Sequence, residues 1–159
     1  MHTENHVEIE GPADRVFALA ADIEAWPRWL PHYRWVRVFE DDGRRRVAEM
    51  AALRNRFPVK WRTIQVLHPA ERRITFRHIG GVTRGMWVEW RLTEQDGRTH
   101  VVIAHDLDYP VPVLGRAFAD LIVGRIFIHH VAGRTLAHLK RRVEAEAGRA
   151  ASVRSGEPK

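Results

Sequence analysis

The sequence contains no cysteine, so neither a disulfide framework nor thiolate chemistry enters the account. No apolar run reaches the roughly 18–20 residues that a membrane-spanning helix needs. Met1 to Asn5 has neither a basic stretch nor an apolar one, which argues against a secretory leader. The cytoplasm is therefore the expected compartment. Zinc-finger, helix-turn-helix and RNA-recognition patterns are missing. So are the Gly-x-Ser-x-Gly elbow, the phosphate loop and the dinucleotide fingerprint. The ten histidines show no metalloprotease spacing. His129 and His130 are adjacent, and on a helix they would point roughly 100° apart. No metal and no cofactor are expected.

What is present fits one domain. A chain of 159 residues can bury about two thirds of its unfolded surface without staples. The net charge of +6 would suit nucleic acid, an anionic membrane surface or an acidic substrate. The basic residues are nearly all arginine, however, and are spread along the chain. The runs Arg44–Arg46, Arg72–Arg73 and Lys140–Arg142 fall at predicted turns or on the outer face of a helix. They read as solvated charge that keeps the protein soluble, and nucleic acid is not an expected partner.

Hydrophobic periodicity gives the order of elements. Thr3–Glu10 reads as a strand, and Gly11-Pro12 opens a helix with Pro12 suited to its first position. Pro27 and Pro31 bracket a short second helix around Trp29. The period then falls to two, with strands near 33–40, 45–54, 57–67, 72–79, 84–93 and 99–109. Asp41-Asp42-Gly43 and Gln95-Asp96-Gly97 read as hairpins. His68–Glu71 and Gly80-Gly81 break the others. Pro58 asks for an edge or strand-start position. After Pro110 and Pro112, one long helix is predicted over about 113–147, its stripe including Leu121, Ile122, His129, Leu136, Leu139 and Val143. Residues 148–159 lack a pattern and read as a disordered tail. The predicted fold is α+β: a curved antiparallel seven-stranded sheet wrapped around a long C-terminal helix, as a single domain over 1–147.

The segment Asp22-Ile23-Glu24-Ala25-Trp26-Pro27-Arg28-Trp29-Leu30-Pro31-His32-Tyr33 crowds aromatic rings between helix and strand. Each ring carries roughly 150–250 Å² of surface to bury, either in a core or in a cavity wall. Together with His2-Thr3-Glu4-Asn5 and the Ala13–Val16 helix start, this segment resembles the polyketide cyclase/dehydrase family. That family lies within the START/Bet v 1-like helix-grip superfamily, and the resemblance covers about residues 3–146. It implies a deep apolar cavity between sheet and helix. Some family members fold and cyclise poly-β-ketone chains carried on an acyl carrier protein. Others, including mitochondrial quinone carriers, hold lipids or isoprenoid quinones without chemistry. Asp108–Gly115 is more similar to the carriers.

Strand alternation gives the expected inward faces. Trp35 would join Tyr33 and Phe39. Trp61 and Gln65 share one face of strand 57–67, Phe76 and His78 another with Ile74, and Met86, Val88 and Trp90 a third. Ile103 and His105 point in with Val101, Leu107 and Tyr109. A mostly apolar surface with a few polar groups is the composition of a small-molecule site. Each histidine could equally be a core residue bonded to backbone, and each tryptophan plain core. The expected ligand is a hydrophobic small molecule.

For a cyclase, Tyr33 matches the family's tyrosine after Trp-Pro and would donate to a substrate oxygen. His78, His105 or His129 would shuttle protons. Gln65 stands where ring-closing members resemble one another in having arginine; it could orient a carbonyl but carries no charge. Tyr33, Gln65 and His105 are the candidate catalytic residues. Trp35, Trp61, Phe76, His78, Val88, Trp90, Ile103, Leu121, Ile122 and His129 are the candidate ligand contacts. The competing reading is a non-catalytic lipid or quinone carrier. Leu121–Ile128 is apolar on more than one face, which suits a cavity gate, a membrane-docking face, a dimer contact or burial under a loop. An acyl carrier protein and a membrane surface are thus candidate partners, and the chain is a monomer or a homodimer.

Overall fold

The computed structural model describes residues 2–54, 56–107 and 128–156, with the Arg54 side chain left aside. Seven strands form one antiparallel sheet in the order β1-β7-β6-β5-β4-β3-β2. They are β1 (His2–Glu10), β2 (Tyr33–Asp41), β3 (Arg45–Arg54), β4 (Phe57–His68), β5 (Arg73–Gly81), β6 (Trp87–Gln95) and β7 (Arg98–Asp106). Between β1 and β2 lie α1 (Ala13–Ala21), a 3₁₀ turn (Ile23–Ala25) and α2 (Trp26–Trp29). A second 3₁₀ turn, Pro69–Glu71, joins β4 to β5, and α3 spans His129–Ser155. This is the helix-grip arrangement expected from the element order.

Alternation decides which face of each strand is dry. In β6, Val88, Trp90 and Leu92 are buried while Trp87 and Arg91 are exposed. Val101, Ile103 and His105 of β7 and Ile74, Phe76 and His78 of β5 are buried beside them. The opposite face carries cross-strand charge pairs. Arg91 bridges Glu4 at 2.8 Å and Glu89 at 3.3 Å, and Arg73 meets Glu71 and Glu89. Part of the arginine content lies on this wet face, where each pair adds little to stability.

The core lies between the sheet's concave face and the α3 stripe Val131, Ala132, Thr135, Leu136, Leu139 and Val143. The last helix is clipped to β1 and to α1 at several points. Lys140 Nζ donates to the Glu8 carbonyl at 2.7 Å, the Glu10 N–H donates to Glu144, and Arg15 holds Glu146 with two bonds. Gly11 sits where a Cβ would come within 2.5 Å of Val143 Cγ1. Glycine there lets the β1–α1 corner rest against α3.

Several boundaries differ from expectation. Pro12 is the N-cap of α1 rather than its first residue. Pro58 does lie in a half-paired stretch: it faces Leu53 of β3, while β5 reaches only as far as Trp61, opposite its last residue Gly81. Far from ending at 147, α3 continues to Ser155. Ala145, Ala147, Ala150 and Ala151 are strong helix formers, so this segment stays helical without a buried face. The expected helix before Ile128, with Leu121 and Ile122, and the segments Asp108–Gly115 and Leu121–Phe127 lie outside the described residues, as does Tyr109.

Candidate functional site

The sheet and α3 enclose a cavity at the centre of the fold. Its aromatic wall is Trp26, Trp61, Phe76 and Trp90, and its aliphatic wall includes Met50, Met86, Val88, Ile103, Ile128, Val131 and Ala132. The polar groups reaching it are Tyr33, His78, Thr83, His105 and Thr135. The free volume is about 60 Å³, well below the roughly 300–1,000 Å³ of pockets for drug-sized ligands. A multi-ring ligand therefore needs more room than the described lining leaves.

The aromatic segment supplies the anchor. α2 starts one residue earlier than the prolines suggested: Pro27 sits within its first turn, where a proline is tolerated, and only Pro31 lies beyond its end. Its turn places Trp26 against the cavity. Trp26 Nε1 donates to the Leu19 carbonyl at 3.3 Å. Its ring meets Tyr33 edge-on at 5.0 Å and lies 5.9 Å from Trp90. Tyr33 in turn meets Trp61 at 6.1 Å, and Trp61 stacks on His78 at 5.7 Å.

A β-bulge decides what points inward on β2 but not on β5. On β5, Ile79 is the extra residue between Arg62↔Gly80 and Thr63↔His78. It follows His78, which keeps the inward face of Ile74 and Phe76 and stacks on Trp61. On β2, Arg34 is the extra residue between Tyr33↔Ala52 and Trp35↔Ala51. A one-residue insertion flips every later side chain. Tyr33 therefore faces the cavity, whereas Trp35 faces outward beneath the Arg37 guanidinium, 4.7 Å from its ring centre.

The three titratable groups are held uncharged. Burial pushes His78 down to about 3 and His105 to about 4, from an ordinary 6.5. Burial drives the Tyr33 phenol well above its ordinary value, opposed by a hydrogen bond with Thr135. His78 Nδ1 is 2.7 Å from Thr83 Oγ1, so its orientation is fixed. His105 Nδ1 is buried and has no partner. A buried polar atom without a partner costs free energy, and a ligand's hydroxyl or carbonyl group can supply one here. Among the described residues there is no cluster of three metal-ligating groups.

Residues 9–127 match the family described as polyketide cyclase/dehydrase and lipid transport. The chain belongs to that family. Over 106 residues it is 31% identical to a granaticin polyketide synthase bifunctional cyclase/dehydratase of Streptomyces violaceoruber. That match covers 65% of this chain and 33% of the relative, so the chain spans about a third of that protein. The Zhui aromatase/cyclase of a Streptomyces species superimposes with a TM-score of 0.82 at 22% identity, covering 92% of this chain and 95% of that one. A START superfamily protein of Mycobacterium smegmatis gives 0.64 at 18% identity, covering 91% and 97%. Both likenesses speak to the fold.

In this cyclase-family chain, Tyr33, Trp61, Phe76, His78, Val88, Trp90, Ile103 and His105 meet at the cavity. Three other candidates do not. Gln65 is fully buried beside it, and its Nε2 donates to the Ala21 carbonyl at 3.1 Å. Arg46 donates to the same carbonyl at 2.9 Å, so both tie the end of α1 to the sheet. Trp35 is turned away by the bulge. His129 is exposed and pairs with Asn5 at 3.0 Å; it precedes Val131 by two residues, about 200° around the helix. Leu121 and Ile122 lie outside the described residues. Met50 was findable, since Ala48, Met50 and Ala52 alternate in β3. Thr83 had no signal, because it sits in a Gly-rich hairpin rather than on a strand.

Proposed function

We propose that this protein binds a polyketide chain or the polycyclic aromatic made from it and promotes aldol ring closure and dehydration. The observation that carries this reading is the meeting of Tyr33, His78 and His105 within an otherwise aromatic and aliphatic cavity, in a chain of the cyclase family. Flat rings suit Trp26, Trp61 and Trp90. The apolar walls exclude water, and most of the rate gain comes from holding a long reactive chain in one curl.

Tyr33 carries its proton at neutral pH and donates to the ketone oxygen that gains negative charge as the carbon–carbon bond forms. The enol carbon attacks the carbonyl carbon, and the proton lost from the enol oxygen is balanced by the one the former ketone oxygen gains, so the step consumes no external acid or base. Loss of that hydroxyl with a neighbouring C–H proton, as water, completes an aromatic ring. His105 is a weak base at about 4, so it orients the enol hydroxyl as a hydrogen-bond acceptor. His78, locked on Thr83, presents its other nitrogen as a fixed polar contact. No metal or nucleotide is required. An acyl carrier protein would deliver the chain.

The test incubates the protein with a poly-β-ketone thioester and follows ring products by mass spectrometry. Turnover is expected to fall about 10²–10³-fold in Tyr33→Phe, the usual effect of losing one oxyanion donor, with binding of a dihydroxyanthraquinone nearly unchanged. Product ratios identical to buffer alone would sink the enzyme reading. A co-purifying fatty acid or quinone in that case would mark a carrier.

A further inference from the structure

His78 and Thr83 both line the cavity, and they are 8% and 1% exposed. The β5–β6 hairpin brings them together. The His78 N–H donates to the Met86 carbonyl at 2.9 Å, the Gly85 N–H to the His78 carbonyl at 2.9 Å, and the Met86 N–H to the Thr83 carbonyl at 3.0 Å. The backbone is thus paired within the hairpin, and the two side chains meet on their own. His78 Nδ1 lies 2.7 Å from Thr83 Oγ1. Trp61 stacks on the imidazole with 20° between the planes, which fixes the ring's tilt. Burial keeps the ring neutral, so it carries a single N–H.

The contact with Thr83 admits two arrangements, and they offer the cavity opposite groups. With the N–H on Nδ1, His78 donates to Thr83. The Thr83 hydrogen then has no acceptor among the described residues, and the cavity meets a bare lone pair on Nε2. With the N–H on Nε2, the Thr83 hydroxyl donates to Nδ1 and its one hydrogen is paired. A buried donor without an acceptor costs free energy, so the second arrangement is the stable one. His78 Nε2 bonds to no described residue and is not sealed in the packing, so its hydrogen stands at the cavity.

We infer that Thr83 is a positioning residue that fixes the His78 N–H on Nε2, and that His78 thereby selects ligands with an acceptor oxygen beside it. A carbonyl or ether oxygen pairs with this hydrogen. A methylene in the same place leaves it unpaired in an apolar wall, and a site built to hydrogen-bond its ligand rejects an analogue that cannot do so. The reversed arrangement would favour a hydroxyl donor instead. The inference rests on the reading of the cavity as a ligand site. It gives the ligand a second oxygen contact besides Tyr33.

The tautomer is read directly from long-range ¹H–¹⁵N spectra of the imidazoles in ¹⁵N-labelled protein at pH 7, with His78 assigned through its backbone. The unprotonated nitrogen of His78 is expected to be Nδ1. Finding it at Nε2 overturns the inference, and this measurement needs no variant. Thr83→Val should move the Nδ1 resonance, which loses its donor, and Thr83→Ser should return it. An unmoved Nδ1 in folded Thr83→Val also overturns the inference. The second measurement titrates 1-tetralone and tetralin, which differ by a carbonyl in place of a methylene, into the parent and His78→Phe. Their solvation in water cancels when the two proteins are compared. The affinity of tetralone relative to tetralin is expected to fall about tenfold in His78→Phe, the worth of one hydrogen bond, to fall in Thr83→Val, and to hold in Thr83→Ser. An unmoved ratio in folded His78→Phe, or a parent that binds neither compound, overturns the inference. Failure to close rings on the thioester, with tautomer and ratio as expected, removes the cyclase reading alone.

Discussion

His32, His78 and His105 enter the folded protein as neutral imidazoles, and this has a sign in pH. Their folded values of about 4, 3 and 4 lie below the ordinary 6.5. Above pH 6.5 both the folded and the unfolded chain leave them uncharged, and they add no pH dependence. As pH falls below 6.5 the unfolded chain binds protons that the folded one refuses, so stability is lost on acidification towards pH 4. The slope approaches about 1.4 kcal/mol per pH unit for each such histidine. The exposed His2–Asp106 pair acts in the opposite sense but is screened by water. Denaturant unfolding at pH 7, 6 and 5 should show this fall, and His105→Gln should flatten it. Gln65 makes a different prediction at the same scale. Because its amide ties α1 to the sheet rather than facing the cavity, Gln65→Ala should lose about 2 kcal/mol of stability. Affinity for dihydroxyanthraquinone should stay within twofold. A collapse of binding with unchanged stability would return Gln65 to the site.

At the scale of elements, the sequence showed its alternation but not its bulges. β6 and β7 run without insertions against each other, so Val88, Trp90, Ile103 and His105 could be placed from period alone. β2 carries an extra residue at Arg34, and Trp35 was misplaced because nothing in Tyr-Arg-Trp announces it. α3 told the same story in reverse: Leu136, Leu139 and Val143 marked its stripe, whereas His129 sits on the wrong side of it. Gly81 shows how closely one bulged hairpin serves the cavity. Its φ is +85°, and a Cβ there would lie 2.3 Å from the Lys60 carbonyl and 2.8 Å from Trp61 Cα. Gly81→Ala should therefore destabilise by about 2 kcal/mol or more and shift Trp61, seen as altered tryptophan fluorescence. Truncation after Ala147, by contrast, removes no buried residue among those described and should leave the thermal midpoint unchanged.

Across the whole molecule, element order was the legible part. One strand, helices, a run of antiparallel strands and an amphipathic last helix leave few ways to cover one face of a sheet. The size of the cavity was not legible, because it depends on how side chains fill the space rather than on which residues point there. Its free volume of about 60 Å³ is smaller than a multi-ring ligand, so binding should be accompanied by movement of the lining. The occupied protein should still melt higher, since a ligand at 100 times its Kd adds about 2.7 kcal/mol. A dihydroxyanthraquinone titration followed by thermal unfolding checks this.

The sheet order has a further consequence, in time rather than space. β1 pairs along its whole length with β7, from His2↔Asp106 to Glu10↔Arg98, and with no other strand among the described residues. During synthesis β1 must therefore wait for β7 before it has this partner, while β2 to β6 can zip together as hairpins. Closing so long a loop delays folding. Until β7 emerges, the apolar β1 residues Val7 and Ile9 and the open edge of β6 remain available to other chains, which makes the nascent chain prone to association.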